Sequence, residues 1–253
     1  MKKQYKALML DLDGTTVPNR RDGLPSQHVK NAIAEANKTI HIGVVTGRPF
    51  FYAKEIIHSL SLTGPSIVNG GSMIIDSSTN SVVWEKLIAE DEFIKIIKIL
   101  IKHNVKMLVQ SKDTEGEDIV YDESSPITSV WTITLPELPP AQAHVIYEEL
   151  LANFTDIAVY KIVGWNKGTQ WLQISHIEAT KQHGILEVAK ILGIETHEII
   201  GVGDGYNDFP LLMACGLKVA MGNAVPELKA IADYIAPTVD EDGVADVIEK
   251  FIL

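Results

Sequence analysis

Leu8-Met9-Leu10-Asp11-Leu12-Asp13-Gly14-Thr15 reads as a buried strand that runs directly into a polar turn. The apolar run from Ala7 to Leu10 shows no alternation, the pattern of a strand covered on both faces. Asp11 and Asp13 follow, and would point to one side if the strand continued. Gly14 ends it instead and leaves both acids at the carboxyl end of a strand, the edge where open α/β sheets bind ligands. Two carboxylates so close invite a divalent cation, unless one of them takes up a proton.

The 253 residues suffice for one large domain or two small ones with ample core, and 46% hydrophobic with 22% charged residues suits an ordinary soluble protein. A net charge of −11 argues against a nucleic-acid or anionic-membrane partner, since both reward basic patches. Arg20, Arg21 and Arg48 are the only three arginines. Cys215, the single cysteine, excludes an internal disulfide and suits a reducing compartment; its neighbours Met213, Ala214 and Gly216 make it core filler rather than a nucleophile. Met1-Lys2-Lys3 resembles the start of a signal peptide, but the apolar run before Asp11 is shorter than the ~7–15 residues such a segment needs. The apolar helix around Phe93 to Ile101 is interrupted by Lys95, Lys98 and Lys102, so no membrane span of ~20 residues is expected. These features predict a cytoplasmic protein, monomeric or homodimeric.

Beyond the first strand, an amphipathic helix is expected from Ser26, its N-cap, to Asn37. Ile40 to Val45 is a second buried strand ending in Thr46-Gly47-Arg48-Pro49. A helix from Phe51 to Leu60 and a strand Ser66–Val68 ending in Asn69-Gly70-Gly71 complete a strand–helix alternation typical of a parallel doubly wound sheet. A hairpin is expected over Met73–Trp84. The rhythm then changes: helices at Asp91–His103 and Ala141–Asn153 alternate with strands near 105–110, 119–121, 130–135, 157–163 and 170–174. Helix-strand-strand occurs twice. From Glu178 the α/β rhythm returns, with a helix Thr180–Leu192 and a strand Ile199–Gly203 ending in Asp204. The expected architecture is a Rossmann-like α/β core (1–81 and 178–253) interrupted by an inserted α+β cap (82–177). That insert carries 14 acidic and 8 basic residues, too acidic for a polyanion clamp.

Polar residues therefore close four strand ends that share one edge of the sheet: Asp11 and Asp13, Thr46 and Arg48, Asn69 with Gly70, and Asp204 with Asn207 and Asp208. Lys181 opens the helix after the insert, where a cation opposes the helix dipole and calls for a nearby anion. Other motif readings fail on spacing. An EF-hand loop begun at Asp11 would need glycine where Thr16 stands. A dinucleotide fingerprint begun at Gly201 would place its third glycine on Tyr206. No phosphate-binding GxxxxGK[ST] loop occurs.

Asp11-Leu12-Asp13-Gly14-Thr15, Thr46-Gly47-Arg48, Lys181 and Gly203-Asp204-Gly205-Tyr206-Asn207-Asp208 resemble, in order, the four motifs of the haloacid dehalogenase-like (HAD) phosphohydrolases. The insert resembles a C2B cap of the Cof-type phosphatases. Ile67-Val68-Asn69-Gly70-Gly71 and Val219-Ala220-Met221-Gly222-Asn223-Ala224 add to the likeness. The resemblance implies a phosphatase that passes the phosphoryl group of a small phosphorylated metabolite, such as a sugar phosphate, through an aspartyl-phosphate. Asp11 would be the nucleophile and Asp13 the general acid and then base. Asp204, Asp11 and the Asp13 backbone carbonyl would hold Mg²⁺. Thr46 and Lys181 would bind the phosphoryl oxygens. Asp208 would orient Lys181 or a metal-bound water, Asn207 would touch the phosphoryl group, and Arg48, Asn69 and Gly70 would meet the substrate from the core. A phosphomutase and a non-catalytic metabolite-phosphate sensor are the alternatives.

Two departures from the family pattern stand out. Gln182 and His183 follow the lysine where glycine is usual, making His183 an additional site candidate, and Thr16 replaces an apolar residue. The turn Gly164-Trp165-Asn166-Lys167-Gly168 offers an aromatic and a cation for substrate contact from the cap.

Overall fold

The computed structural model describes residues 5–20, 22–114, 117–124, 127–164 and 166–253. β1 (Ala7–Leu10) is buried along its whole length. α1 (Gln27–Ala36) starts where the Ser26 hydroxyl accepts the Val29 N–H at 3.1 Å, and it turns Val29, Ile33 and Ala36 to the core. β2 (His41–Val44), α2 (Phe50–Ser59) and β3 (Pro65–Val68) follow, then the hairpin of β4 (Met73–Asp76) and β5 (Val82–Glu85). The inserted elements are α3 (Glu90–Lys102), β6 (Leu108–Ser111), β7 (Ile119–Val120), β8 (Val130–Leu138), α4 (Pro140–Asn153), β9 (Ile157–Val163) and β10 (Gln170–His176). The chain then returns through α5 (Lys181–Leu192), β11 (Ile199–Gly203), α6 (Phe209–Ala214), β12 (Leu217–Ala220), α7 (Pro226–Ile231), β13 (Tyr234–Ile235) and α8 (Gly243–Phe251).

The core is a parallel sheet in the order β13-β12-β11-β1-β2. β3 extends it beside β2 through the parallel bridge Val45–Ile67, and the β4–β5 hairpin continues antiparallel from β3. Chain order runs outward from β1 in both directions, so the switch point falls between β1 and β11. α1 packs with α8, and α5 with α6, to cover the sheet. Leu8, Met9, Leu10, Ile42, Ile67, Ile200 and Val202 are fully buried in the resulting core. This is the expected α/β core with an α+β insertion.

The insert forms its own antiparallel sheet, β7-β6-β8-β10-β9, and a second apolar cluster in which Phe93, Ile96 and Leu100 of α3 and Ile146 and Leu150 of α4 meet Val109, Ile133, Leu135, Leu172 and Ile174. The two helix-strand-strand units meet at the centre, where β8 pairs with β10. The second strand of the first unit is thus β8; β7 is two residues at the outer edge of β6. β8 also runs past Pro136, which the sequence did not predict. The register shift opposite Gln170–Leu172 absorbs the missing proline N–H. No described helix is long and apolar enough to cross a membrane.

Candidate active site

The carboxyl ends of β1, β2, β3 and β11 meet at one edge, and the predicted polar residues converge there. Gly14 has a φ of +80°, and any side chain at that position would collide with the Asp204 carboxylate. The turn after β1 is thereby pressed against the loop after β11. Thr15 Oγ1 donates to Asp204 Oδ1 at 3.0 Å, joining the two loops, and Asn223, in the loop after β12, donates from Nδ2 to the Gly14 carbonyl at 2.7 Å.

Lys181, the first residue of α5, is 3% exposed, and its Nζ lies 2.6 Å from both Asp11 Oδ1 and Asp208 Oδ1. The other oxygen of Asp208 accepts the N–H groups of Asp204 and Gly205, each at 2.9 Å. Asp208 therefore fixes both the lysine and the loop that carries Asp204. Carboxylate oxygens of Asp11, Asp204 and Asp208 lie within 4.8 Å of one another. Asp13 stands apart from this trio. Its carboxylate is gripped by Arg48, with Nε 2.8 Å from Oδ2 and Nη2 2.5 Å from Oδ1.

The charges do not balance. Four carboxylates face two cations, Lys181 and Arg48. Burial, reinforced by Asp208, pushes the Asp11 carboxyl well above the usual range despite Lys181. Burial and then Asp208 push Asp204 up to about 7. Burial works against the Lys181 charge, yet Asp11 and Asp208 outweigh it and hold the ammonium above its ordinary range. The cluster thus keeps its lysine charged, but that one ammonium is shared by Asp11 and Asp208, and Asp204 has no ion-pair partner among the described residues. Hard oxygen donors converging on a deficit of two charges fit a small divalent cation such as Mg²⁺.

The remaining predicted residues line the same edge. Thr46 is buried, and its hydroxyl oxygen accepts the Arg48 N–H at 3.0 Å, leaving its hydrogen for another acceptor. Asn69 Oδ1 accepts the Phe50 N–H at 2.9 Å and so starts α2, while its buried Nδ2 has no partner among the described residues. Two residues that sequence reasoning missed close the space from the cap: Tyr160 of β9 and Gln173 of β10 line it with Gly47, Gly70, Lys181 and Asn207. Their signal was present in the polar–apolar alternation of the cap strands, where Gln173 and Ser175 interleave with Leu172 and Ile174. Trp165 lies outside the described residues. Around it, Asn166 and Thr169 bond Glu137, which keeps that turn tied to its own sheet.

A profile of haloacid dehalogenase-like hydrolases matches residues 8–248. The chain belongs to this family. Among HAD-like relatives, it is 28% identical to the 5-amino-6-(5-phospho-D-ribitylamino)uracil phosphatase YcsE of Bacillus subtilis, over 98% of this chain and 96% of that one. It is 27% identical to the stress response protein YhaX of the same organism, over 99% and 94%. The fold superimposes with a TM-score of 0.80 on the HAD subclass IIB sugar phosphatase BT4131, at 23% identity over 97% and 98% of the two chains.

Both departures from the HAD pattern have structural explanations. Gln182 is exposed, and the close approach of α5 to the sheet falls instead at Gly184, against Ile67. The His183 imidazole turns back to the helix start, with Nδ1 3.0 Å from Thr180 Oγ1, which also accepts the His183 backbone N–H at 3.2 Å. Thr16 is buried and donates to the Asp11 carbonyl at 2.6 Å, bracing the residue whose side chain Lys181 holds.

Proposed function

We propose that this HAD-like phosphatase is a Mg²⁺-dependent enzyme that hydrolyses a small phosphorylated metabolite, a sugar phosphate or similar monoester, through an aspartyl-phosphate on Asp11. The observation that carries the reading is the convergence of Asp11 from β1 with Asp204 and Asp208 from the loop after β11. Mg²⁺, when bound by Asp11, Asp204 and the Asp13 carbonyl, supplies charge for the phosphoryl oxygens. Lys181 fixes one oxygen of Asp11 and leaves the other to attack phosphorus. A bond forms from Asp11 to phosphorus as the bond to the leaving oxygen breaks. Asp13 gives that oxygen a proton, then takes one from the water that cleaves the aspartyl-phosphate and releases inorganic phosphate. Thr46 and Lys181 hold the phosphoryl oxygens as charge spreads over them, with Asn207 at the rim. Arg48 keeps Asp13 in place from the core side, where it, Asn69 and Gly70 meet the substrate.

The division into core 1–81 and 178–253 with cap 82–177 belongs to this reading. The space that the six lining residues leave is about 10 Å³, room for roughly one water, so a substrate needs the cap to move away. Acidic charge and a lone buried cysteine support a cytoplasmic enzyme, monomeric or homodimeric, without nucleic-acid or membrane partners. The test is phosphate release across a panel of phosphate esters with Mg²⁺, with Asp11→Asn as the blank. Release that needs Mg²⁺ and Asp11 supports the reading. Transfer of the group without release indicates a mutase, and inactivity on every ester indicates a sensor.

A further inference from the structure

The cap sheet has two unlike faces. One packs its leucines, isoleucines and valines on α3 and α4. The other presents amides and hydroxyls, because the register places Thr134, Gln173 and Tyr160 side by side and Gln110, Thr132 and Ser175 in the adjoining row. Gln110, Thr132, Thr134, Gln173 and Ser175 are all buried, none of them carries a charge, and Gln110 Oε1 and Thr132 Oγ1 have no partner among the described residues. A buried polar atom left unpaired is costly, so a sheet face of this kind needs a polar counterpart.

Gln173 brings this face to the catalytic edge. Its Nε2 lies 3.4 Å from the Gly47 carbonyl, in the loop after β2. Its Oε1 reaches the loop after β3 so closely that a Cβ on Gly70, where φ is +69°, would sit 2.6 Å away and push the amide aside. One amide thus spans the loops that carry Thr46 and Asn69. Tyr160 stands beside it across β9–β10. Tyr160 lines the same space as Lys181, the first residue of α5; burial raises the pKa of its hydroxyl, partly offset by Thr180 and Lys181. Among the described residues, the two cations bonded at this edge already have carboxylate partners: Lys181 has Asp11 and Asp208, and Arg48 has Asp13.

Resting on the phosphatase reading, we infer that Gln173 and Tyr160 are specificity-determining residues that select a neutral, hydroxyl-bearing leaving group and reject one carrying a carboxylate. Hydroxyls both donate and accept, as an amide and a phenol require of a partner. A carboxylate only accepts, and it would enter a pocket whose bonded cations already face carboxylates, with several acids behind it.

The test compares kcat/KM for ribose 5-phosphate, sorbitol 6-phosphate, phosphoglycolate and p-nitrophenyl phosphate in the wild type and in Gln173→Leu, Gln173→Asn, Gln173→Lys and Tyr160→Phe. The expected wild type prefers the better hydroxylated ester over phosphoglycolate by tenfold or more. Gln173→Leu and Tyr160→Phe should lower the ratio of that ester to p-nitrophenyl phosphate at least tenfold and threefold respectively, and Gln173→Asn less than Gln173→Leu. Gln173→Lys should shift preference toward phosphoglycolate by tenfold or more. A structural role would lower all substrates alike and leave the ratios unmoved. Unmoved ratios in folded, active variants overturn the inference while the phosphatase reading stands, as does a wild type that favours phosphoglycolate. A wild type inactive on all four esters overturns both.

Discussion

Arg48 holds Asp13 by both carboxylate oxygens, at 2.8 and 2.5 Å, so the proposed acid–base group is oriented by a planar fork from the neighbouring strand end. Lysine supplies the charge without the fork. Arg48→Lys should lower kcat/KM about tenfold and Arg48→Ala about 100-fold, matching a charge-assisted pair of roughly 1.5–3 kcal/mol. Steady-state kinetics on one ester checks the order, and equal losses in both variants would remove the fork from the account.

Asp11→Asn should abolish phosphate release, by about 10⁴-fold or more, while the protein stays folded. Burial already raises the Asp11 carboxyl, so removing its charge relieves repulsion from Asp208 and Asp204 as it removes one lysine contact. Thermal unfolding should therefore shift by no more than a few degrees in either direction.

Breaking the lysine is different. Lys181→Met leaves Asp11 and Asp208 buried without their shared cation, and should cost about 3–5 kcal/mol of stability in denaturant melts. Adding Asp208→Asn to that variant should recover part of the loss, since one stranded charge is then removed.

Metal removal reads the charge deficit directly. EDTA should suppress turnover reversibly, and Mg²⁺ should raise the melting temperature of the enzyme without substrate. Saturation at 100 times the dissociation constant corresponds to about 2.7 kcal/mol. Asp204→Asn should abolish most of that thermal shift. A wild-type melt indifferent to Mg²⁺ would count against the ion.

His41 sets a pH dependence remote from the catalytic edge. It is mostly buried, its Nε2 bonds the Pro65 carbonyl at 2.9 Å, and burial lowers its pKa below 6.5. The unfolded chain therefore binds a proton that the folded chain refuses, and stability is lost as pH falls through 6.5. Each unit of depression is worth about 1.4 kcal/mol. Subtracting the profile of His41→Gln from that of the wild type between pH 7.5 and 5.5 should isolate this slope.

Much of the core was legible because its strands are short apolar runs that end abruptly in acids, amides or glycine. Asp11, Thr46, Asn69 and Asp204 each mark such an end, and parallel topology gathers them without further information. The cap was legible only in outline. Its strands alternate, but which face looks toward the core depends on how β8 pairs with β10, and the register shift opposite Pro136 is invisible in one sequence. Gln173 and Tyr160 were missed for that reason. The grip of Arg48 on Asp13 was also out of reach, since residues 35 apart in sequence meet only through β1–β2 pairing.

The place of β11 beside β1 has a consequence for biosynthesis. Until Ile199–Gly203 leaves the ribosome, the all-apolar strand Ala7–Leu10 has a neighbour on one flank only. A nascent chain halted after the insert would expose an open, greasy edge able to recruit other chains. Fragments ending near residue 180 should therefore aggregate, because they carry β1 without β11.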